Sequence, residues 1–239
     1  MLERADKLLQ QALAMNPRFV PALVGRAEMI AFRLKSSSDQ RERAEMLREA
    51  DRLTLAAVTA DPECAASWAM RASVLAAMRQ LDAAFASADK AVRINPTNAF
   101  AVSERMDLLI AAGRAREAIL PLDEVTLIYE KLNLADFMRM QCLARVYASN
   151  LDDAPTACES WYALGGDVAA LETLASIYGS RGDVEKAANT IAALHKTQPD
   201  ASIGTIRKGR QPAEAAHPAL ASQAEVTFYA GLRRASLPE

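Results

Sequence analysis

The chain repeats itself every 34 residues, and that spacing limits it to a stack of small, similar units. The clearest unit spans 65–98, AASWAMRASVLAAMRQLDAAFASADKAVRINPTN. Trp68, Ala72, Leu75, Ala84, Ala91 and Pro96 mark its large, small and helix-ending positions, and their counterparts return on both sides. Apolar residues three and four apart predict helices throughout, and no alternating strand run interrupts them. Each unit of such an array buries its apolar face only against its neighbours.

The units can be laid out in order. ERADKLLQQALAMNP, with Ala5, Leu9, Ala12 and Pro17, reads as a second helix whose first helix is missing, and this predicts that the chain is part of a longer protein. A unit from Val20 follows, its helices separated by about eleven extra residues around KSSSDQRER. These amount to roughly three turns and should make both helices project beyond their neighbours. Asp39 and Glu42 form a capping box there. After 65–98 come 99–132, with Gly113 at a turn and Pro121 set to kink the second helix, and 133–167, whose second helix should run only from near Pro155 to Gly165-Gly166. The unit 168–200 turns at Gly182-Asp183. Beyond it, SIGTIRKG reads as a short helix, RQPAEAAHPALASQ as irregular, and QAEVTFYAGLRRASLPE as an amphipathic helix with Val226, Phe228, Tyr229 and Leu232 on one side.

Composition narrows the class. Hydrophobic residues are 51% but aromatics only 5%, which fits thin Ala-rich helix pairs rather than a thick sandwich core. A net charge of −2 leaves no basic footprint for nucleic acid. No apolar run approaches the roughly 18 residues of a membrane helix. Cys64, Cys142 and Cys158 lack CxxC spacing and read as buried free thiols in a reducing, cytoplasmic setting. Phosphate loops, HExxH and GxSxG motifs are missing from the sequence, so the expectation is no enzyme and no cofactor or metal.

These residues resemble the tetratricopeptide repeat (TPR) family over roughly 1–200. The resemblance implies an all-α, right-handed superhelical solenoid of antiparallel helix pairs, about five repeats in 1–200, with 201–239 as tail and capping helix. FYAGLRRASLPE is similar to the tail that closes the TPR region of bacterial class III nucleotide cyclases and related winged-helix regulators, which more often carry Gly where this chain has Ser236. That similarity implies a regulatory, adenylate cyclase-like context.

In the family, ligand contacts come from the second, fifth, ninth, twelfth and thirteenth positions of the first helices. On this chain they are Val24, Glu28 and Phe32; Ala66, Ala69, Ser73 and Ala77; and Phe100, Ser103, Asp107 and Ala111. The set is small and apolar with scattered acids, suiting a helix or apolar segment of a protein or peptide partner. The alternative is a sensor binding a small molecule or peptide in the same groove. Arg26, Arg71, Arg105 and Arg139 recur at one repeat position where the family usually has Leu. They could form a ladder for acidic ligands; the favoured reading packs each between the two helices of its own unit, paired to a carboxylate such as Asp89 or Asp123. Trp68 and Trp161 should fill core holes, and His195 should sit at a helix end. A bare helix at 1–15 also predicts a homodimer.

Overall fold

The computed structural model describes residues 2–37, 39–119, 121 and 135–239. Among these, regular structure is helical, with no strand. In order the helices are α1 (Leu2–Met15), α2 (Val20–Ser36), α3 (Gln40–Ala60), α4 (Ala65–Ala77), α5 (Leu81–Ile94), α6 (Ala99–Ala111), α7 (Ala135–Tyr147), α8 (Ala154–Ala163), α9 (Val168–Arg181), α10 (Val184–Thr197), α11 (Ile203–Ala216) and α12 (Pro218–Ala224). A π-helical turn (Glu225–Tyr229) then leads into α13 (Ala230–Arg234). The chain divides into two compact units, Met1–Leu108 and Leu109–Glu239.

In the first unit, α2 and α3 pair, then α4 and α5. Leu23, Ala27, Ile30, Ala50, Leu53 and Ala57 close the first pair, and Ala72, Leu75, Ala84 and Ala88 the second. The inserted residues lengthen both helices of the first pair: α2 has 17 residues and α3 has 21, against 13 and 14 for α4 and α5. Asp39 accepts hydrogen bonds from the Arg41 and Glu42 amides at 2.7 and 3.1 Å, satisfying donors that open α3. Arg43 reaches back to the Leu34 and Ser37 carbonyls and so closes α2.

The turns after α4, α6, α7 and α9 use left-handed backbone, whereas α2 ends on an extended Ser37. Gly113 and Gly182 have φ 77°, where glycine is unstrained; Arg79 and Ser149 hold the same place at 61° and 60° with a Cβ to accommodate.

The second unit departs from expectation in several ways. Cys142 and Cys158 are a disulfide joining α7 to α8, not free thiols. Both are fully buried in a cluster with Trp161, Leu174, Ile177 and Tyr178, close enough to bond because the two helices pack face to face. Cys64 is a free thiol, half-buried just before α4. Disulfides persist mainly in oxidising compartments, so the basis for a reducing, cytoplasmic setting falls away.

The tail is also more helical than expected. Residues 210–223 lie in α11 and α12 rather than in irregular chain, broken only at His217. Ala-rich composition favours the helix, Ile203 and Ile206 are buried on it, and Pro218 opens α12 at a position where a missing amide costs nothing. Val226 is 72% exposed while Phe228, Tyr229 and Leu232 are fully buried. A helix turns about 100° per residue, so residues 226 and 228 cannot share a side. Of the second helix expected in the fourth repeat, residues 116–119 and 121 are helical; the rest, with Asp123, lies outside the described residues.

Candidate protein-binding face

Counting from Val20, Ala65, Ala99 and Val168, the first helices α2, α4, α6 and α9 can be compared position by position. At the fifth position stand Val24, Ala69, Ser103 and Glu172. Val24 and Ser103 are half-buried, whereas Ala69 is fully buried with Ala91 and Ala101 and offers nothing to a ligand. Its methyl is short enough for the neighbouring helices to close over it. At the ninth stand Glu28, which is exposed, Ser73 and Asp107, which are half-buried, and Ser176, which is buried. At the thirteenth, Phe32 is 58% exposed and Ala77 is exposed. Ala66, Phe100 and Ala111 are half-buried. Phe100 also packs against the cluster around Ala69.

The recurrent arginines pair both across and within repeats. Arg26 meets Asp6 of α1 at 3.1 Å and Glu49 of α3 at 3.5 Å. Arg71 meets Asp51 of α3 at 3.0 Å, and Arg105 meets Asp89 of α5 at 2.7 Å. In the last two cases the carboxylate lies on the second helix of the preceding unit. Arg139 meets Asp136 of its own helix at 3.9 Å. Heads committed to carboxylates this way tie successive hairpins together; half-exposed pairs of this kind contribute about 1 kcal/mol or less each.

Trp161 fills the core of the second unit as expected. Trp68 packs against the Ala69, Ala91 and Ala101 cluster but is only half-buried; it donates from Nε1 to the Pro62 carbonyl at 2.8 Å and carries the Lys90 ammonium 4.4 Å from its ring. His195 lies within hydrogen-bond distance of the Ala201 carbonyl, 3.0 Å from Nε2, at the end of α10. Among the described residues no three His, Cys, Asp or Glu side chains cluster to hold a metal, and no helix is long and apolar enough to cross a membrane.

The second unit carries a polar network that no motif in the chain announces. Arg210 on α11 bonds the Tyr147 hydroxyl, lies 3.5 Å from Glu214 and stacks 4.2 Å from the Phe228 ring. Tyr229 donates to Glu214 at 2.7 Å, with Arg207 over its ring at 4.2 Å. Burial pushes the nearby Glu172 carboxyl up to about 7, against the pull of the Arg210 charge, with Asp167 adding a smaller push. Burial also works against the Arg210 charge; Tyr147, Tyr229, Glu214 and Glu172 outweigh it and hold the guanidinium protonated.

Antiparallel helix pairs stacked at a fixed spacing define a helical repeat protein. The comparisons agree. Residues 65–98 match the family model of the tetratricopeptide repeat. No curated protein matches the chain. Among solved structures, the chain is similar to PilW, a widely conserved type IV pilus biogenesis factor (16% identity, 84% of this chain and 87% of that one, TM-score 0.65). It is similar to YrrB, a TPR protein with an unusual peptide-binding site (16%, 80% and 93%, TM-score 0.58). A tetratricopeptide repeat protein from Parabacteroides merdae ATCC 43184 aligns over 98% of this chain and 92% of its own, at 16% identity and TM-score 0.58. At such identities these likenesses carry the fold, which is that of a TPR helical repeat, and nothing finer.

Proposed function

We propose that the chain is a non-catalytic protein-interaction module that holds a protein or peptide partner, not nucleic acid or membrane, against the first helices of residues 20–108. The observation that carries this reading is the open face itself. Val24, Glu28, Phe32, Ser73, Phe100, Ser103 and Asp107 stay at least partly accessible, and they combine two aromatic rings with two acids. Such a face fits an apolar segment flanked by basic residues. The peptide-binding site for which YrrB is described supports the class of ligand. A photo-crosslinking residue at Ser73 tests the reading. It should capture a discrete partner that the same residue at exposed Ala86 of α5 does not; equal labelling from both would overturn it.

The regulatory, adenylate cyclase-like context belongs to the same proposal and rests on the tail FYAGLRRASLPE. An immunoblot of the source cells should then give a band well above 25.9 kDa, and a band at that mass would end it. Self-association through residues 1–15 is supported by the exposure of Leu8 and Met15 on α1. Light scattering that finds only monomer at high concentration would remove it.

A further inference from the structure

We infer that residues 203–234 are an internal ligand of the second unit: they permanently occupy the inner face of α7 and α9, and leave the open face of residues 20–108 as the place where this chain takes an outside partner. The second clause rests on the recognition function proposed above; the first does not.

The tail lies on the fifth, ninth, twelfth and thirteenth register positions of α9; at the ninth and thirteenth, the first unit keeps its side chains at least partly accessible. On α9 these are Glu172, Ser176, Gly179 and Ser180. Ser176 Oγ donates to the Phe228 carbonyl at 2.8 Å. A Cβ at Gly179 would stand 2.2 Å from the Gly231 carbonyl oxygen, and one at Gly231 would stand 2.2 Å from the Ser176 carbonyl oxygen. The two backbones therefore touch, with both glycines needed for the approach. On α7, Tyr147 takes Arg210. Further along, Gln223 donates to the Gly113 carbonyl at 2.8 Å, at the end of α6. The tail thus runs along consecutive first helices as a bound helical peptide would.

Its packing is that of a core and not of a lid. Phe228, Tyr229 and Leu232 are fully buried, so the apolar surface of the tail is removed from water as in a core. The ends of the tail are tied to each other: the Ile203 amide donates to the Pro238 carbonyl at 2.7 Å, and Arg233 bridges Glu225 and Glu239, each at 2.9 Å. Glu225 also takes Arg207 at 2.9 Å. Loss of the tail would strip apolar surface from α9 and deprive the buried Glu172 of the Arg210 charge that now offsets its burial.

Two measurements on the full chain decide the matter. In native-state hydrogen exchange, amides of 226–232 should be protected to within about tenfold of those in α9. Tail amides exchanging more than about a hundredfold faster, with α9 still protected, would make the tail a lid and overturn the inference. A labelled synthetic peptide of residues 203–239 should not bind the wild-type chain but should bind Gly231→Leu, whose own tail cannot seat. Saturable binding to wild type would show that the tail yields its place. Should Gly231→Leu fail to fold, the two wild-type readings still stand. For the second clause, photo-crosslinkers at Glu28 and at Glu172 separate the outcomes: partner capture from Glu28 alone supports it, and capture from Glu172 overturns it. Capture from neither sinks the recognition function while leaving the tail's role to the exchange and peptide results.

Discussion

The two units use the same helix register for opposite ends. In residues 20–108, the ninth position of each first helix holds Glu28, Ser73 or Asp107 and none is buried; in α9 it holds Ser176, buried under Phe228. The second unit has spent its inner face on its own tail, whereas the first has kept it accessible. A repeat fold therefore does not commit every repeat to binding: the side chains at one register position, and what lies over them, decide.

The sharpest way to break this comparison is to place the same bulk at equivalent positions. Ser176→Leu should lower stability by about 3 kcal/mol or more, because the site is closed by backbone, while Ser73→Leu should stay within about 0.5 kcal/mol. Denaturant melts of both variants check this, and equal costs would erase the distinction. Next in size is the cross-link confined to the second unit. Reduction, or Cys142→Ala with Cys158→Ala, should cost about 3 kcal/mol for a loop of this length. Cys64→Ser should change reductant sensitivity not at all.

A smaller effect is the pH response. Glu172 has a folded value near 7, above its unfolded one, so the native state holds the extra proton between the two. Its contribution to stability is present below the unfolded value and falls as pH rises from about 4.5 through about 7. Glu172→Gln should flatten that slope in a melting series; an unchanged slope would place the titration elsewhere. Smallest are the strained turns. Arg79→Gly in the first unit and Ser236→Gly in the second, at φ 61° and 65°, should each stabilise by about 1 kcal/mol, seen as a rise in melting temperature.

What the sequence showed depended on how local the signal was. Helix pairs at 65–98 and 168–200 were legible because Ala, Leu and Pro markers act within one unit. The elongated α2–α3 hairpin followed from counting residues. Within the tail, residues 210–223 were read as irregular because Pro212 and Pro218 look like breakers, although Pro218 in fact opens a helix. Two of the arginine partners were assigned to the wrong hairpin: Asp51 precedes Arg71 by 20 residues and Asp89 precedes Arg105 by 16, so each carboxylate sits on the preceding unit, whereas Arg26 reaches Glu49 of its own unit as expected. The disulfide and the burial of Glu172 depend on packing between separate helices, and no short pattern encodes that. Ser236 is the reverse case: its left-handed φ gives a physical reason for the glycine more usual there in similar tails.

The sulfur pair has a consequence for how the molecule is made. With both sulfurs buried, an oxidant or a reductant meets them only when the α7–α8 hairpin opens. The covalent state therefore changes no faster than that opening, and a cross-link once set outlasts a change of surroundings by the lifetime of the closed hairpin. Two batches of one sequence, matured with and without an oxidant, would converge in a common buffer only at the rate at which the hairpin opens.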